Sequence, residues 1–188
     1  MIAQMRLFTG FDLPGEVVQN LEALLARLRP HARIQWSPPR NLHVTTKFIG
    51  EWPEERVDEL KAALAALAPQ EPFPIRVRGL GFFPNPHQPR VFWAGVDAPP
   101  GLAALAGQTD RALAKLGVPA EQRPFSPHLT LARIKEPAPM QPLREAIAAL
   151  LSVEFGEYLP DRFWLYHSRL APGGSVYTKL ADFPLRSA

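Results

Sequence analysis

The sequence predicts an α+β fold built from one unit used twice, with two similar lobes packed about a pseudo-two-fold axis and a cleft at their junction. Three observations predict it. The order strand–helix–strand–helix–strand starts again in the second half. Gly10 and Gly95, Asp12 and Asp97, Pro14 and Pro99, His43 and His128, and Glu51 and Glu136 all stand 85 residues apart. Finally, Leu42-His43-Val44-Thr45-Thr46-Lys47-Phe48 and Pro127-His128-Leu129-Thr130-Leu131-Ala132-Arg133 both carry His-x-Thr on a strand pattern.

Met5 to Asp12 reads as the first strand, closed by Leu13-Pro14-Gly15. Pro14 opens a helix running to about Arg29, where its missing N–H costs nothing. Val17, Val18, Leu21, Leu24, Leu25 and Leu28 form that helix's apolar stripe. Ser37-Pro38-Pro39 is a loop into the first His-x-Thr strand, which Gly50 ends. Pro53 to Ala68 is a second amphipathic helix, with Val57, Leu60, Leu64 and Leu67 inward. Strands over Pro72–Phe83 and Arg90–Asp97 flank the turn Pro84-Asn85-Pro86-His87. A helix over Pro99–Gly117 precedes the second His-x-Thr strand, and Pro142–Leu151 is a short helix. Strands from Val153 to Leu170, broken near Pro160, and from Ser175 to Ala181 flank the turn Pro172-Gly173-Gly174. This last strand keeps the same register, so Phe11-Asp12-Leu13-Pro14, Val96-Asp97-Ala98-Pro99 and Ala181-Asp182-Phe183-Pro184 read as three versions of one strand exit. No linker or low-complexity segment separates the halves, and residues 1–188 read as a single bilobal domain.

The 46% hydrophobic and 21% charged residues are ordinary globular values. No apolar run is long enough to span a bilayer. The start, MIAQMRLFTGFDL, has no signal-peptide pattern, and a cytoplasmic location is expected. The absence of cysteine excludes disulfides, iron–sulfur clusters and thiol catalysis. A net charge of +3, mostly arginine, predicts mild attraction to phosphates and not the dense basic block of a duplex-binding protein.

Side chains alternate along a strand, so His43 shares a face with Thr45, and His128 with Thr130, while Val44, Thr46, Leu129 and Leu131 point the other way. Equivalent residues of a duplicated unit face each other across the lobe junction, where clefts form. Two imidazoles in one site permit concerted general acid–base catalysis, because one can be neutral while the other is protonated. A threonine hydroxyl beside each suits the oxygens of a phosphate. A zinc site is the competing reading, but the chain has no His-x-His, no His-Glu-x-x-His and no cysteine, so no metal or cofactor is expected. No Gly-x-Ser-x-Gly and no phosphate-cradling glycine-rich loop occurs.

Leu42-His43-Val44-Thr45-Thr46-Lys47-Phe48-Ile49-Gly50 and Ser126-Pro127-His128-Leu129-Thr130-Leu131-Ala132-Arg133 resemble the two motifs of the two-histidine (2H) phosphoesterase superfamily. The resemblance is to the branch of bacterial and archaeal RNA 2′,3′-cyclic phosphodiesterases, also called 2′-5′ RNA ligases. The opening strand, Pro89-Arg90-Val91-Phe92-Trp93-Ala94-Gly95, and Ser168-Arg169-Leu170 with Gly174-Ser175-Val176-Tyr177 carry it over nearly the whole chain. It implies antiparallel sheets lining a central cleft, with the helices outside. It also implies metal-independent hydrolysis of an RNA 2′,3′-cyclic phosphate to a 2′-phosphate, on the RNA end as partner. A monomer is expected. His43 would be the proton donor to the departing O3′ and His128 the proton acceptor that activates water, with Thr45 and Thr130 on the non-bridging oxygens. The near-symmetric sequence does not itself choose acid from base. Thr46 departs from the resembled pattern, where leucine is frequent, and little effect is expected on the core-facing side.

Arg133 is a candidate phosphate ligand, although strict alternation puts it on the strand face opposite His128; a bulge would reverse that. Arg90 is as well read as a structural ion-pair partner. Phe125 and Tyr177 are candidates to stack on a nucleobase. Trp36, Trp52, Trp93 and Trp164 read as packing residues, and His31, His87 and His167 as surface or structural ones. Two other functions stay open: ligation of tRNA halves through a 2′-5′ bond, the reverse reaction at the same site, and a non-catalytic RNA-end-binding module.

Overall fold

A computed structural model describes residues 3–172 and 174–186. Nine strands and four α-helices are assigned among them. The strands are β1 (Gln4–Phe11), β2 (Gln35–Trp36), β3 (Val44–Pro53), β4 (Ile75–Phe83), β5 (Val91–Asp97), β6 (His128–Arg133), β7 (Glu154–Tyr158), β8 (Arg162–Ala171) and β9 (Gly174–Pro184). The helices are α1 (Gly15–Leu28), α2 (Val57–Ala65), α3 (Pro100–Ala114) and α4 (Gln141–Ala148). The chain therefore has the expected α+β character. Gly173, in the expected turn, lies outside the described residues.

The strands form two antiparallel sheets, ordered β3-β1-β8-β9 and β2-β6-β5-β4-β7. Each histidine strand lies beside the strand that opens its half, β3 on β1 and β6 on β5, as a duplicated unit requires. The apolar stripe of α1 (Val17, Leu21, Leu24, Leu25, Leu28) is fully buried, and Leu60 and Leu64 of α2 and Leu102, Leu105 and Leu113 of α3 join it. With Leu7, Phe11 and Val44 of the first sheet and Phe92, Ala94, Leu129 and Leu131 of the second, they form one continuous core. Each sheet turns one face to this core and leaves the other free to carry chemistry. Among the described residues no helix is long and apolar enough to cross a membrane.

Several local expectations are corrected. Gly50 does not end its strand: it takes φ +84°, which a residue with a side chain rarely adopts, and β3 continues to Pro53. The second α-helix starts only at Val57, after a 3-10 turn over Glu54–Arg56. The two-residue strand β2 lies in a stretch that was expected to be loop, where Gln35 and Trp36 pair with Arg133 and Ala132. The third strand exit is not a third copy, because β9 occupies the outer edge of its sheet, beside β8 alone, whereas β1 and β5 are each flanked on both sides. The register of 85 also fails to carry into the pairing of β5. Gly10 pairs with Thr45, but the residue opposite Thr130 is Trp93, not Gly95. Relative to β1, β5 is slid by two residues, and a slip of two preserves which side chains face the core.

Candidate active site

The two histidines sit at the mouths of β3 and β6, each reached through a proline-bearing segment that fixes the approach. His43 Nδ1–H donates to the carbonyl of Asn41 at 2.7 Å, and His128 Nδ1–H donates to the carbonyl of Ser126 at 2.8 Å. Asn41 and Ser126 are themselves 85 residues apart, so one anchoring device is used twice. With the donor role assigned to Nδ1, Nε2 of each ring is free for a ligand. Asn41 in turn donates its amide to the carbonyl of Ser175 at 2.7 Å, tying the first anchor to the β8–β9 hairpin. Ser37 bonds to β6 twice, Oγ to the Thr130 carbonyl and N–H to the Leu131 carbonyl, both at 2.8 Å. The loop that delivers His43 is thus fastened to the strand that carries His128.

Aromatic rings pack each imidazole. The His43 ring lies 4.6 Å from Phe8, 5.1 Å from the edge-on Tyr177 and 6.1 Å from Tyr166, centroid to centroid. His128 meets Phe83 edge-on at 5.0 Å, and Phe83 packs on Trp93 at 5.1 Å. Burial among these groups removes water from the imidazolium form and is the main cause of the shift of His43 to about 4. The Asn41 carbonyl opposes that shift, and the charges of His128 and Arg133 add to it. His128 is lowered as well, first by burial, against the Ser126 carbonyl, and then by Arg133. Arg133 acts on both rings, and His128 acts on His43, as charges within reach of one another do.

Thr45 and Thr130 are half-buried on the faces of their histidines, as period-two alternation requires. Arg133 departs from strict alternation, for a visible reason. Pairing passes from Trp93–Thr130 to Phe92–Ala132 and skips Leu131, so β6 carries a bulge there. Leu131 and Ala132 are both fully buried, the phase reverses, and exposed Arg133 emerges on the histidine side. The equivalent place in β3 behaves alike. Pairing skips Thr46 between Thr45 and Lys47, both Thr46 and Lys47 turn inward, and Phe48 emerges 54% exposed. The apolar spacing 129, 131, 132 and 134 is the sequence signal of the bulge, since strict alternation would not bury 131 and 132 together.

Thr46 is less neutral than expected: its hydroxyl pairs with that of Thr9 at 2.7 Å inside the core. Phe125 is half-buried against the core, whereas Tyr177 stands against His43. Trp93 and Trp164 do more than fill the interior. Trp93 packs on Phe83 beside His128 and fills the space over Gly81, where a β-carbon would collide with the indole. The Lys179 ammonium lies 4.1 Å above the Trp164 ring. Trp52 is buried and bonds its indole N–H to the Arg56 carbonyl at 3.0 Å, while His31 and His87 are exposed. Arg90 donates to the Lys135 carbonyl at 3.1 Å. Among the described residues no three His, Asp or Glu side chains cluster as metal donors. Phe8, Phe83 and Tyr166 are the site residues that sequence reasoning missed, because nothing local marks a ring that reaches its histidine from another strand.

The model for LigT like phosphoesterases matches the chain twice, over residues 11–93 and 96–177, one match per half. A Thermus thermophilus protein named RNA 2′,3′-cyclic phosphodiesterase is 40% identical over 97% of this chain and 91% of its own length. One of the same name from Methanothermobacter thermautotrophicus is 34% identical over 97% of this chain and its entire length. The crystal structure of Escherichia coli LigT complexed with 3′-AMP superposes with TM-score 0.79 at 28% identity, covering 98% of this chain and 100% of that one. Doubled pairing, doubled anchors and a doubled match all describe the same object, and the chain belongs to the LigT like phosphoesterase family.

Proposed function

We propose that this chain hydrolyses RNA 2′,3′-cyclic phosphate ends to 2′-phosphates by acid–base catalysis between His43 and His128. The observation that carries the reading is the pair of imidazoles, each pinned through Nδ1 with a free Nε2, on two segments that Ser37 fastens together. Relatives named RNA 2′,3′-cyclic phosphodiesterase support the substrate. With the phosphate between the rings, His128 Nε2 takes a proton from water as the water oxygen bonds to phosphorus. The P–O3′ bond breaks, and His43 Nε2–H protonates the departing O3′, leaving a 2′-phosphate and a 3′-hydroxyl. The hydroxyls of Thr45 and Thr130 and the guanidinium of Arg133 hold the non-bridging oxygens as charge builds on them. No step calls for a metal ion. Both histidines, both threonines and Arg133 come from one chain, which fits action as a monomer.

The donor role asks for a protonated His43, and the large depression in the ligand-free protein works against it. The substrate corrects this. A phosphodiester anion replaces the lost hydration of an imidazolium and raises both rings toward neutrality. The test is incubation of an RNA oligonucleotide ending in a 2′,3′-cyclic phosphate with the protein in EDTA, followed by analysis of the end group. Multiple turnover to a 2′-phosphate is expected. His43→Ala and His128→Ala should each lower kcat by about 10²- to 10⁴-fold with the fold intact. A 3′-phosphate product, or full activity in either variant, overturns the assignment.

A further inference from the structure

Asn41 serves His43 through three separate polar groups. Its N–H donates to the Pro38 carbonyl at 2.9 Å in a 3-10 turn over Pro39–Asn41, where Pro38 and Pro39 restrict the backbone just before it. Its carbonyl accepts the Nδ1–H of His43 at 2.7 Å. Its side-chain amide donates to the Ser175 carbonyl at 2.7 Å, at the start of β9. Among the described residues β9 is the outer strand of its sheet and pairs with β8 alone, so this end of it has no second strand to hold it. Two residues on from Ser175, Tyr177 stands edge-on to His43 at 5.1 Å. One side chain thus joins the backbone that fixes the imidazole to the strand that covers it.

The matched place in the second half is built differently. Ser126 supplies the same backbone carbonyl to His128 at 2.8 Å, but it is exposed, and among the described residues its hydroxyl bonds to no other strand. Three rings, Phe8, Tyr166 and Tyr177, lie about His43, whereas among the described residues one, Phe83, lies against His128. We propose that Asn41 is a positioning residue that straps the start of β9 down over His43, so that the cover on this imidazole depends on a single side-chain amide. The assignment deepens the hydrolysis reading above and rests on it for its catalytic consequence. A base that activates water must stay open to solvent. An acid needs only to meet the leaving oxygen, and a cover keeps water from taking that place. The groups that carry charge toward His43 are His128 and Arg133 of β6, the titratable rings against it are Tyr166 of β8 and Tyr177 of β9, and Phe8 of β1 is apolar. Removal of the Asn41 amide leaves all of these residues in the chain, so a change in His43 titration reports the cover itself.

Asn41→Ala is the test, because it removes the amide and keeps the carbonyl under the ring. Imidazole NMR signals of the ligand-free wild type, Asn41→Ala and Ser126→Ala are followed against pH. In the wild type His43 is expected to titrate below His128. In Asn41→Ala its midpoint should rise by about one pH unit or more toward 6.5, while His128 stays nearly unmoved. Ser126→Ala should move neither ring. Asn41→Ser, which puts the second half's residue in the first, should reproduce the shift. The acid-side limb of kcat/KM for adenosine 2′,3′-cyclic phosphate reports the lower free-enzyme value and should move to higher pH with it. A lower melting temperature in Asn41→Ala with the His43 midpoint unchanged would confine the amide to the scaffold and overturn the proposal, as would equal midpoints in the wild type. If loss of the amide moves the His43 midpoint but the wild type cleaves no cyclic phosphate, the hydrolysis reading falls and the strap stands.

Discussion

Folded His43 takes a proton only near pH 4, whereas in the unfolded chain it does so near its ordinary value of 6.5. Between those two values the unfolded state binds more protons, so stability rises with pH across that window and falls as the solution is acidified through it. The loss between pH 6.5 and 4 amounts to up to about 3 kcal/mol. Denaturant titrations of wild type and His43→Asn over this range check it: the variant should lose most of that acid-side slope, and two parallel curves would contradict the burial of the ring. At this scale the sequence was highly legible. His43, Thr45, His128 and Thr130 follow from a spacing of two on a strand, which fixes the face without knowledge of the partner strand. The rings that desolvate the histidines were not legible. Phe8 belongs to β1, and Tyr166 arrives from β8, far along the chain.

Elements decide where the second tier of side chains points. Strict alternation would aim Arg133 away from the face of His128 and bury Phe48; the extra residues just before them, Leu131 in β6 and Thr46 in β3, reverse both. The extra residues are accommodated differently. Leu131 is an apolar core residue, whereas Thr46 brings a hydroxyl inside and is matched only by Thr9. Thr46→Val should therefore strand the Thr9 hydroxyl and cost about 1–3 kcal/mol, while Thr9→Val/Thr46→Val together should recover most of that loss. Equilibrium unfolding of the two single variants and the double variant measures the coupling, and strictly additive losses would show that the two hydroxyls do not depend on each other. The strands and helices themselves were readable from periodicity, and their ends were not. Gly50 looked like a terminator, but its positive φ lets β3 continue to Pro53.

At the level of the whole molecule, what matters is that the two histidine strands cannot move independently. Ser37 fastens the approach to His43 onto β6, and Lys47 of β3 reaches Asp110 of α3 at 2.7 Å as well as the segment before His128. Lys47 is 3% exposed, and its ammonium has three oxygen partners, so the burial of its charge is compensated. Lys47→Met removes the charge but keeps the bulk. It should cost about 2–4 kcal/mol and lower kcat as the segment before His128 loosens. Thermal unfolding and turnover measured together check this, and a variant that loses stability yet keeps full turnover would limit Lys47 to the scaffold. The duplication was legible at this scale because it was written into residue spacing. The two-residue slide of β5 was not, because period two conceals it. That slide, with Phe48 standing where its counterpart is Arg133, means the halves have ceased to be interchangeable modules. A symmetric protein assembled from two copies of the first half would set two phenylalanines about its cleft and no guanidinium, inheriting the twin imidazoles while losing the one cation that makes their surroundings unlike.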